Sequence, residues 1–241
     1  MYQACPRKFF YSDILKFDGR VSFADAANYG TAFHAACEYM AKEAIKKGNY
    51  PSKEEFYNKF KTTLDTLPLS SIQQREILEG RGENEVEQYY HHLTDTPAKN
   101  LFDVEYELEL EYDGVKFKGI VDKIVKNDDG TYSIIDYKTG TPAKASAISP
   151  DGVHKDYYNQ ICLYKYYFEK AENVIVRDLS FIFTVDCSVV RFTPTEEDCE
   201  KVVAELKQSI KDISECEFEP NYNEEACKYC GYRDFCGIDI V

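Results

Sequence analysis

The chain has 241 residues, 44% of them hydrophobic, which is enough to bury a substantial core. Its formal net charge of −14 argues against a basic nucleic-acid-binding surface spread over the whole chain. It contains neither an apolar run of about 18 residues nor an apolar N-terminal leader, so the sequence predicts no membrane span, no secretion signal and a cytoplasmic location.

The first 47 residues predict two helices. Residues 2 to 17 mix aromatic and basic side chains and begin with the step Cys5-Pro6-Arg7-Lys8-Phe9. Residues 28 to 34 lead into a helix that ends at about Lys47, and His34 lies at the edge of its apolar stripe, near the helix start. Taken alone, such a histidine is more often structural than a ligand. The stripe that we expect to be buried consists of Phe33, Ala36, Cys37, Met40, Ala41 and Ala44.

Residues 50 to 98 are predicted to form a helical insertion, with two mostly polar helices at 53 to 65 and 70 to 93. His91 and His92 at its end are expected on a solvated face. Residues 101 to 112 alternate strictly and predict a strand, followed by a turn at Asp113 and Gly114. Its two faces are an apolar set, Phe102, Val104, Tyr106, Leu108, Leu110 and Tyr112, and a solvated acidic set, Asp103, Glu105, Glu107, Glu109 and Glu111.

Residues 119 to 140 predict a β-hairpin, because two β-branched runs flank a turn that contains Asp129-Gly130. Each run carries one aspartate, Asp122 or Asp136, and an isolated carboxylate there is costly unless it is paired or binds a metal. Lys138 follows Asp136 by two residues, so both point to one face of the strand. Two carboxylates and an amine suit metal-assisted phosphodiester hydrolysis, although solvent-facing charges on an ordinary hairpin remain the alternative.

The distribution of charge weakens the objection from net charge. Residues 83 to 113 hold ten acids against one lysine, whereas residues 116 to 144 hold six lysines against four aspartates. The acid therefore lies mostly outside the predicted hairpin. The charge argues against tight DNA binding by the isolated domain and not against catalysis.

The remainder of the chain predicts a loop, two helices and a hairpin. The loop covers residues 141 to 155, where His154 is expected to be unengaged. A helix follows at 156 to 171, with Gln160 and Tyr164 on one face. Residues 179 to 185 and 188 to 192 predict a hairpin, and residues 195 to 213 an amphipathic helix that begins with three acids.

The C-terminal tail holds Cys227, Cys230 and Cys236, a spacing that predicts a metal centre in need of a fourth ligand. Four thiolates hold either zinc or a [4Fe–4S] cluster, and the spacing does not choose between them. The other five cysteines are expected to be small buried hydrophobic residues: Cys37, Cys162, Cys187, Cys199 and Cys216.

The segment Gly-Ile-Val-Asp122, followed by Ile-Asp136-Tyr137-Lys138-Thr-Gly, resembles the core of the PD-(D/E)xK nuclease superfamily, and in particular its RecB-like branch. The resemblance implies an α/β, restriction-endonuclease-like fold with a central mixed sheet flanked by helices. It also implies DNA hydrolysis with Mg²⁺ or Mn²⁺ and assigns roles to particular residues. The metal ligands would be His34, Asp122, Asp136 and the main-chain carbonyl of Tyr137; Lys138 would act on the attacking water, and Gln160 and Tyr164 would line the cleft.

The same resemblance extends to the cysteines. Cys5 begins a Cys-Pro-Arg-x-Phe step similar to that of cluster-bearing RecB-like domains, so it would complete the set with Cys227, Cys230 and Cys236. This favours [4Fe–4S] over Zn²⁺ and implies a structural cluster that joins the two ends of a single domain at 1–241. Within that domain we expect the catalytic core at about 100–193 and the last helix and cysteines at 195–241.

Three functions are compatible with these motifs. The first is the exonuclease domain of a RecB/AddB-type helicase–nuclease in recombinational repair, with DNA and a helicase region as partners; the short segment before Cys5 and the insertion favour it. The second is a stand-alone RecB-like exonuclease of CRISPR spacer acquisition. The third is a catalytically silent iron–sulfur domain that binds DNA ends, which the presence of His34, Asp122, Asp136 and Lys138 disfavours.

Overall fold

The computed structural model describes residues 2–17, 25–112, 114–228 and 230–237. Predictions that involve Met1, Asp113 or Tyr229 therefore lie outside the described residues. The chain packs as two compact units. The larger comprises Ala24–Val202, and the smaller comprises Met1–Phe23 together with Val203–Val241. No helix among the described residues has both the length and the apolar character needed to cross a bilayer.

The larger unit contains a five-stranded mixed sheet whose strands follow one another in chain order. Strands β3 and β4 are parallel and all other neighbours are antiparallel. This arrangement confirms the predicted α/β fold with a central mixed sheet flanked by helices, consistent with a restriction-endonuclease-like architecture. The strands are β1 (Leu101–Tyr112), β2 (Val115–Lys126), β3 (Tyr132–Lys138), β4 (Val176–Phe183) and β5 (Ser188–Phe192).

Three helices cover one face of the sheet: α2 (Asp25–Lys47), α3 (Lys53–Thr66) and α4 (Ile72–Thr94). Every member of the stripe predicted on α2 is buried. The predicted insertion is polar only on its outside, because Phe56, Phe60 and Leu64 of α3 are fully buried in the same core. Ser52 begins α3 with a capping box that includes Glu55, which satisfies main-chain donors at the helix start.

The opposite face of the sheet packs against α5 (Lys155–Glu172), which connects the parallel strands β3 and β4. Phe168 and Ile161 of α5 are fully buried there against Phe181 of β4. A final helix, α6 (Glu196–Ser214), contributes Cys199 and Val202 to this core. Since β3 and β4 alternate side chains between the two cores, both faces of the sheet are covered near the end of β3.

The strict alternation predicted for β1 is wrong at Glu105. This residue has a φ of +51°, in the left-handed region that side chains rarely adopt. Val104 consequently packs with the α2 side chains, while Tyr106 and Leu108 pack on the α5 side. Tyr112, at the far end of the strand, is exposed rather than buried.

The smaller unit contains short helical segments. They are α1 (Pro6–Phe9), continued by a π-helical turn at Phe10–Ile14, then α7 (Glu224–Lys228) and α8 (Arg233–Cys236). Arg7 Nε donates to the carbonyl of Phe218 at 2.8 Å, and the Phe10 and Phe218 rings lie 4.7 Å apart. Contacts between the beginning and the end of the chain therefore form this unit.

Two of the five cysteines expected to be buried are not. Cys216 is exposed with a φ of +62°, just after α6 ends, and Cys187 is half-buried with a φ of +58° in the β4–β5 connection. Both occupy left-handed positions where a chain reverses, and such positions lie at surfaces. The other three, Cys37, Cys162 and Cys199, are buried as predicted.

Candidate active site

The two aspartates of the hairpin lie where the β2–β3 ladder stops. Paired residues run from Lys126 and Tyr132 to Lys123 and Ile135, and the next positions in register are Asp122 and Asp136. Instead of a main-chain bond at this point, Asp122 Oδ2 accepts a hydrogen bond from the N–H of Tyr137 at 2.7 Å. A side-chain carboxylate thus replaces the next ladder bond, and β2 and β3 are not paired beyond it, which leaves an opening at Asp122 and Asp136.

Helix α2 brings a histidine to this opening. His34 Nδ1 lies 3.3 Å from Asp122 Oδ1. The sequence suggested that His34 lies near the helix start. The structure places it in the third turn of α2, because α2 begins at Asp25. A methyl group at Gly30, one turn earlier, would lie 3.1 Å from Thr139 Oγ1, so glycine allows α2 to approach the end of β3 closely.

A hydrogen-bonded set surrounds Asp136, whose side chain is almost completely buried. Gln160 Nε2 donates to Asp136 Oδ1 at 3.0 Å and lies 2.7 Å from Tyr164 Oη. Gln160 Oε1 in turn accepts from Lys138 Nζ at 3.0 Å. The predicted Gln-x-x-x-Tyr face of α5 therefore lies directly against the Asp-x-Lys strand.

The Lys138 ammonium also lies 2.8 Å from Asp136 Oδ2, as an ion pair. Oδ2 has no hydrogen-bond donor of good geometry and is buried. A buried carboxylate oxygen with free lone pairs is suited to a hard cation.

Glu105 is a site residue that sequence reasoning missed. His34, Glu105 and Asp122 each present a ligand atom, and these atoms lie within 4.8 Å of one another. The left-handed backbone at Glu105 accounts for its departure from the solvated acidic face. No sequence signal distinguished it, since it is one of five acids in regular alternation.

The electrostatics of the site favour a bound cation. Burial, together with the neighbouring Asp122 carboxylate, raises the pKa of Glu105 to about 7. Burial and Asp122 also raise the pKa of Asp136. Burial lowers the pKa of His34, but the Asp122 carboxylate outweighs it and the pKa lies above the usual 6.5. Carboxylates crowded in this way are relieved by a divalent ion, and an oxygen-rich set with one imidazole suits Mg²⁺ or Mn²⁺.

A second polar network reaches the end of β3 from α4. The Arg81 guanidinium donates to the carbonyl of Thr139 and to Glu85, and its carbon lies 4.1 Å from the centre of the Tyr29 ring. Glu85 is buried and accepts from Thr184 Oγ1 at 2.8 Å. The helical insertion therefore fixes the residue that follows Lys138.

The remaining histidines lie elsewhere. His91 is exposed and His92 half-buried, outside the set around Asp122. The prediction that His154 makes no contact is wrong. Its ring stacks on Tyr157 with centroids 5.2 Å apart and an interplanar angle of 11°. The loop ends at Lys155, where α5 begins, and this places His154 one turn from Tyr157.

The four cysteines singled out by the sequence line one pocket in the smaller unit. Cys5, Cys227, Cys230 and Cys236 contribute to its wall, with Arg7 beside them. Burial raises the pKa of Cys236, and the other three thiols raise it further. These thiols share one pocket, but among the described residues the set with ligand atoms within 4.8 Å of one another is His34, Glu105 and Asp122.

Comparison with known proteins identifies the family. The model of the PD-(D/E)XK nuclease superfamily matches residues 1–237, and the chain belongs to this superfamily. Membership implies hydrolysis of phosphodiester bonds with divalent metals. The superfamily predicted from Asp122 and Asp136-Tyr137-Lys138 is confirmed, whereas its RecB-like branch stays a prediction.

Other comparisons give more distant similarity. No curated protein sequence matches the chain. The crystal structure of SSO0001 is 15% identical with a TM-score of 0.41, over 83% of this chain and 95% of that one. A protein from Eubacterium rectale, described as a candidate exonuclease, is 12% identical with a TM-score of 0.46, over 90% of this chain and 91% of that one.

Proposed function

We propose that this chain is a DNA nuclease that requires Mg²⁺ or Mn²⁺. The observation that carries the proposal is the joint position of Asp122, Asp136, Lys138 and Gln160 at the opening between β2 and β3. Each of the first three carries a charge. Asp136, Lys138 and Gln160 contact one another, and Asp122 accepts from the N–H of Tyr137, which lies between Asp136 and Lys138 in the chain. This combination serves phosphodiester hydrolysis better than it serves stability, because buried charges cost free energy.

The ligands in this proposal are His34, Asp122, Asp136 and the main-chain carbonyl of Tyr137, with Glu105 added because it shares the cluster with His34 and Asp122. Asp136 Oδ2 offers the free lone pairs noted above. A divalent ion held by these residues would polarise the phosphoryl oxygen and lower the pKa of its water.

Lys138 has two tasks in this mechanism. Its ammonium, which lies 3.0 Å from Gln160 Oε1, orients the attacking water and neutralises charge on the pentavalent phosphorane. The side-chain carbonyl oxygen of Gln160 accepts from Lys138 and its amide nitrogen donates to Asp136. Gln160 therefore fixes the position of the Lys138 ammonium relative to the proposed ligand Asp136. Tyr164 orients that amide from one turn away.

DNA is the proposed substrate because the chain belongs to a nuclease superfamily and because residues 116 to 144, with Lys123 buried, still carry more lysines than acids in an otherwise acidic chain. A locally basic segment allows phosphate to approach where the mean charge would repel it. The overall charge of −14 leads us to expect weak DNA binding by the isolated chain.

The test is cleavage of labelled single- and double-stranded DNA with Mg²⁺, Mn²⁺ or EDTA. Cleavage should require the ion, and Asp136→Asn and Lys138→Met should each reduce kcat by at least about 100-fold. Lys144→Met, a lysine change in the neighbouring loop, serves as the matched control. Equal cleavage in EDTA, or full activity of Asp136→Asn, contradicts the proposal. Metal-independent DNA-end binding without cleavage would instead support the silent domain.

We further propose that Cys5, Cys227, Cys230 and Cys236 hold a [4Fe–4S] cluster. The shared pocket and the raised pKa of Cys236 beside the other three thiols support a single centre. The resemblance to cluster-bearing RecB-like domains favours iron over zinc. Because the ligands come from both ends of the chain, ligation would stabilise the smaller unit and take no part in hydrolysis.

Anaerobically purified protein should be brown and contain about four irons per chain. Cys5→Ala should lower both iron content and melting temperature, whereas Cys216→Ala, at an exposed cysteine, should change neither. Stoichiometric zinc without iron would contradict the cluster and keep the four-cysteine centre. Unchanged metal content in Cys5→Ala would contradict the centre itself.

The biological setting that we propose is a helicase–nuclease of the RecB/AddB kind in recombinational DNA repair. The order of motifs from Cys5 to Cys236 supports it, and the CRISPR-type exonuclease shares that order. The native gene separates the two: a helicase encoded in the same chain or an adjacent gene supports the first, and neighbouring spacer-acquisition genes support the second.

A further inference from the structure

Lys138 has an aromatic neighbour that the mechanism above does not use. Its Nζ lies 4.3 Å from the centre of the Tyr157 ring and 5.0 Å from that of Phe181. The other contacts of the ammonium are Asp136 and Gln160. Within the described part of the chain, Lys138 is therefore held by one charge, one amide and two ring faces.

Tyr157 is well placed to hold this ammonium still. It precedes Gln160 by three residues on α5, so the two lie on one face of the helix. The Phe181 ring lies 5.3 Å from it, and the His154 ring stacks almost parallel to it. A half-buried ring with a neighbour on β4 and another at the start of α5 has little freedom to turn.

The contact with Tyr157 differs from the contact with Asp136 in one chemical respect. A cation at the proposed site would compete with the Lys138 ammonium, 2.8 Å from Asp136 Oδ2, for the negative charge of that carboxylate. A ring face attracts an ammonium through its quadrupole and offers no oxygen to the metal. Tyr157 can therefore keep Lys138 in place after the ionic contact has been given up.

We propose that Tyr157 is a positioning residue that holds the Lys138 ammonium by a cation–π contact while Asp136 binds the metal. The proposal rests on the proposed nuclease function, in which Lys138 acts on the water. It implies that the electron density of the ring at position 157 matters, and not only its volume.

The test replaces Tyr157 in turn by phenylalanine and by its mono-, di- and trifluoro derivatives, which weaken the quadrupole and preserve the shape. We expect kcat to fall stepwise, to about one tenth for the trifluoro ring, with KM changed less than about twofold. The matched control is the same series at Tyr166 on the same helix, whose ring lies 3.8 Å from the Lys170 ammonium. Because the Tyr166 hydroxyl also accepts from Lys170, the comparison at that position begins at phenylalanine. That series should leave kcat unchanged.

An activity-independent measurement accompanies the kinetics. The rate of reductive methylation at Lys138, read by mass spectrometry, should rise along the Tyr157 series, and the rate at Lys170 should rise along the Tyr166 series. A wild type that cleaves, combined with a flat Tyr157 series in both measurements, overturns the positioning role alone. A wild type that does not cleave overturns the nuclease proposal and this role with it. Equal melting temperatures across the series exclude loss of the fold as the cause.

Discussion

Asp122 Oδ2 accepts a hydrogen bond from the N–H of Tyr137 at 2.7 Å, at the position where the β2–β3 ladder would have continued. The same carboxylate faces His34 through its other oxygen. The Asp122 side chain thus has two roles: one oxygen ends the β2–β3 ladder, and the other is available to a ligand. The hydrogen bond from Tyr137 to the first oxygen fixes the direction in which the second one points. This coupling of sheet and site leads to the first prediction.

Asp122→Asn should keep the fold and lose the metal. The amide oxygen of asparagine can still accept from the Tyr137 N–H, while the negative charge is removed. We expect a melting temperature within a few degrees of wild type and Mn²⁺ affinity lowered at least about tenfold, measured by calorimetry. Asp122→Ala is the comparison and should also reduce stability, because it leaves a buried N–H unpaired. Equal Mn²⁺ affinity in wild type and Asp122→Asn would be incompatible with ligation by this residue.

The metal-free protein should become more stable as pH falls from about 7 to about 4.5. The pKa of Glu105 is raised from 4.5 to about 7 in the folded chain, mainly by burial. The folded state therefore binds more protons than the unfolded state in this window, so the free energy of unfolding decreases as pH rises. The raised pKa of Asp136 acts in the same direction, and that of His34 does so above about pH 6.5, whereas burial lowers the pKa of His92, which opposes them below that pH.

Melting temperatures recorded across this pH range without metal measure the effect. Glu105→Gln should flatten the profile, because a neutral amide removes the largest contributor that titrates near pH 7. Saturating Mg²⁺ should stabilise the wild type most at high pH, where the carboxylates are charged. A profile that rises with pH between 4.5 and 7, or one that Glu105→Gln leaves unchanged, would contradict this description of the site.

Two glycines on α4 provide a matched test of packing between α3 and α4. A methyl group at Gly82 would lie 2.0 Å from a ring carbon of the fully buried Phe60, whereas one at Gly80 would meet nothing within 4 Å. Gly82→Ala should reduce the free energy of unfolding by about 1–3 kcal/mol through overpacking. Gly80→Ala should increase it by roughly 0.5–1 kcal/mol through helix propensity. Denaturant titration distinguishes the signs, and equal effects would show that Phe60 is free to move.

Arg81→Met should destabilise the protein by roughly 2–3 kcal/mol, because it leaves the buried Glu85 carboxylate without its cation. It should also reduce nuclease activity, since the carbonyl of Thr139, next to Lys138, loses its donor. The control is Lys61→Met, which breaks the more exposed Lys61–Glu79 pair between α3 and α4 and should cost less than about 1 kcal/mol. A similar loss from both substitutions would show that the Arg81 network has no special role.

Much of the fold was predictable because local patterns agreed with burial. The β2–β3 hairpin, with Gly130 at a φ of +84°, and the apolar stripe of α2 were both evident from spacing. The superfamily followed from Asp136-Tyr137-Lys138. These features depend on residues close in sequence, where periodicity and turn chemistry are informative.

Contacts between distant segments were not predictable. Glu105 joined the site through a single left-handed backbone position, which the alternation of β1 concealed. Arg81 reaches Thr139 across 58 residues, and Tyr157 reaches Lys138 from the helix that follows. In each case the residue type fitted an ordinary solvated or core position, so only the three-dimensional arrangement reveals the contact.

The most direct test of the central claim is anomalous scattering from crystals of the wild type soaked in Mn²⁺. The account predicts a peak between β2 and β3, within about 2.3 Å of a ring nitrogen of His34 and of an Asp122 oxygen, with Asp136 completing the site. Asp136→Asn crystals soaked identically should show a weaker peak or none. A wild-type map without a peak there, with the His34 ring packed against Phe33 and Met40 instead, would contradict the metal site and the nuclease mechanism built on it.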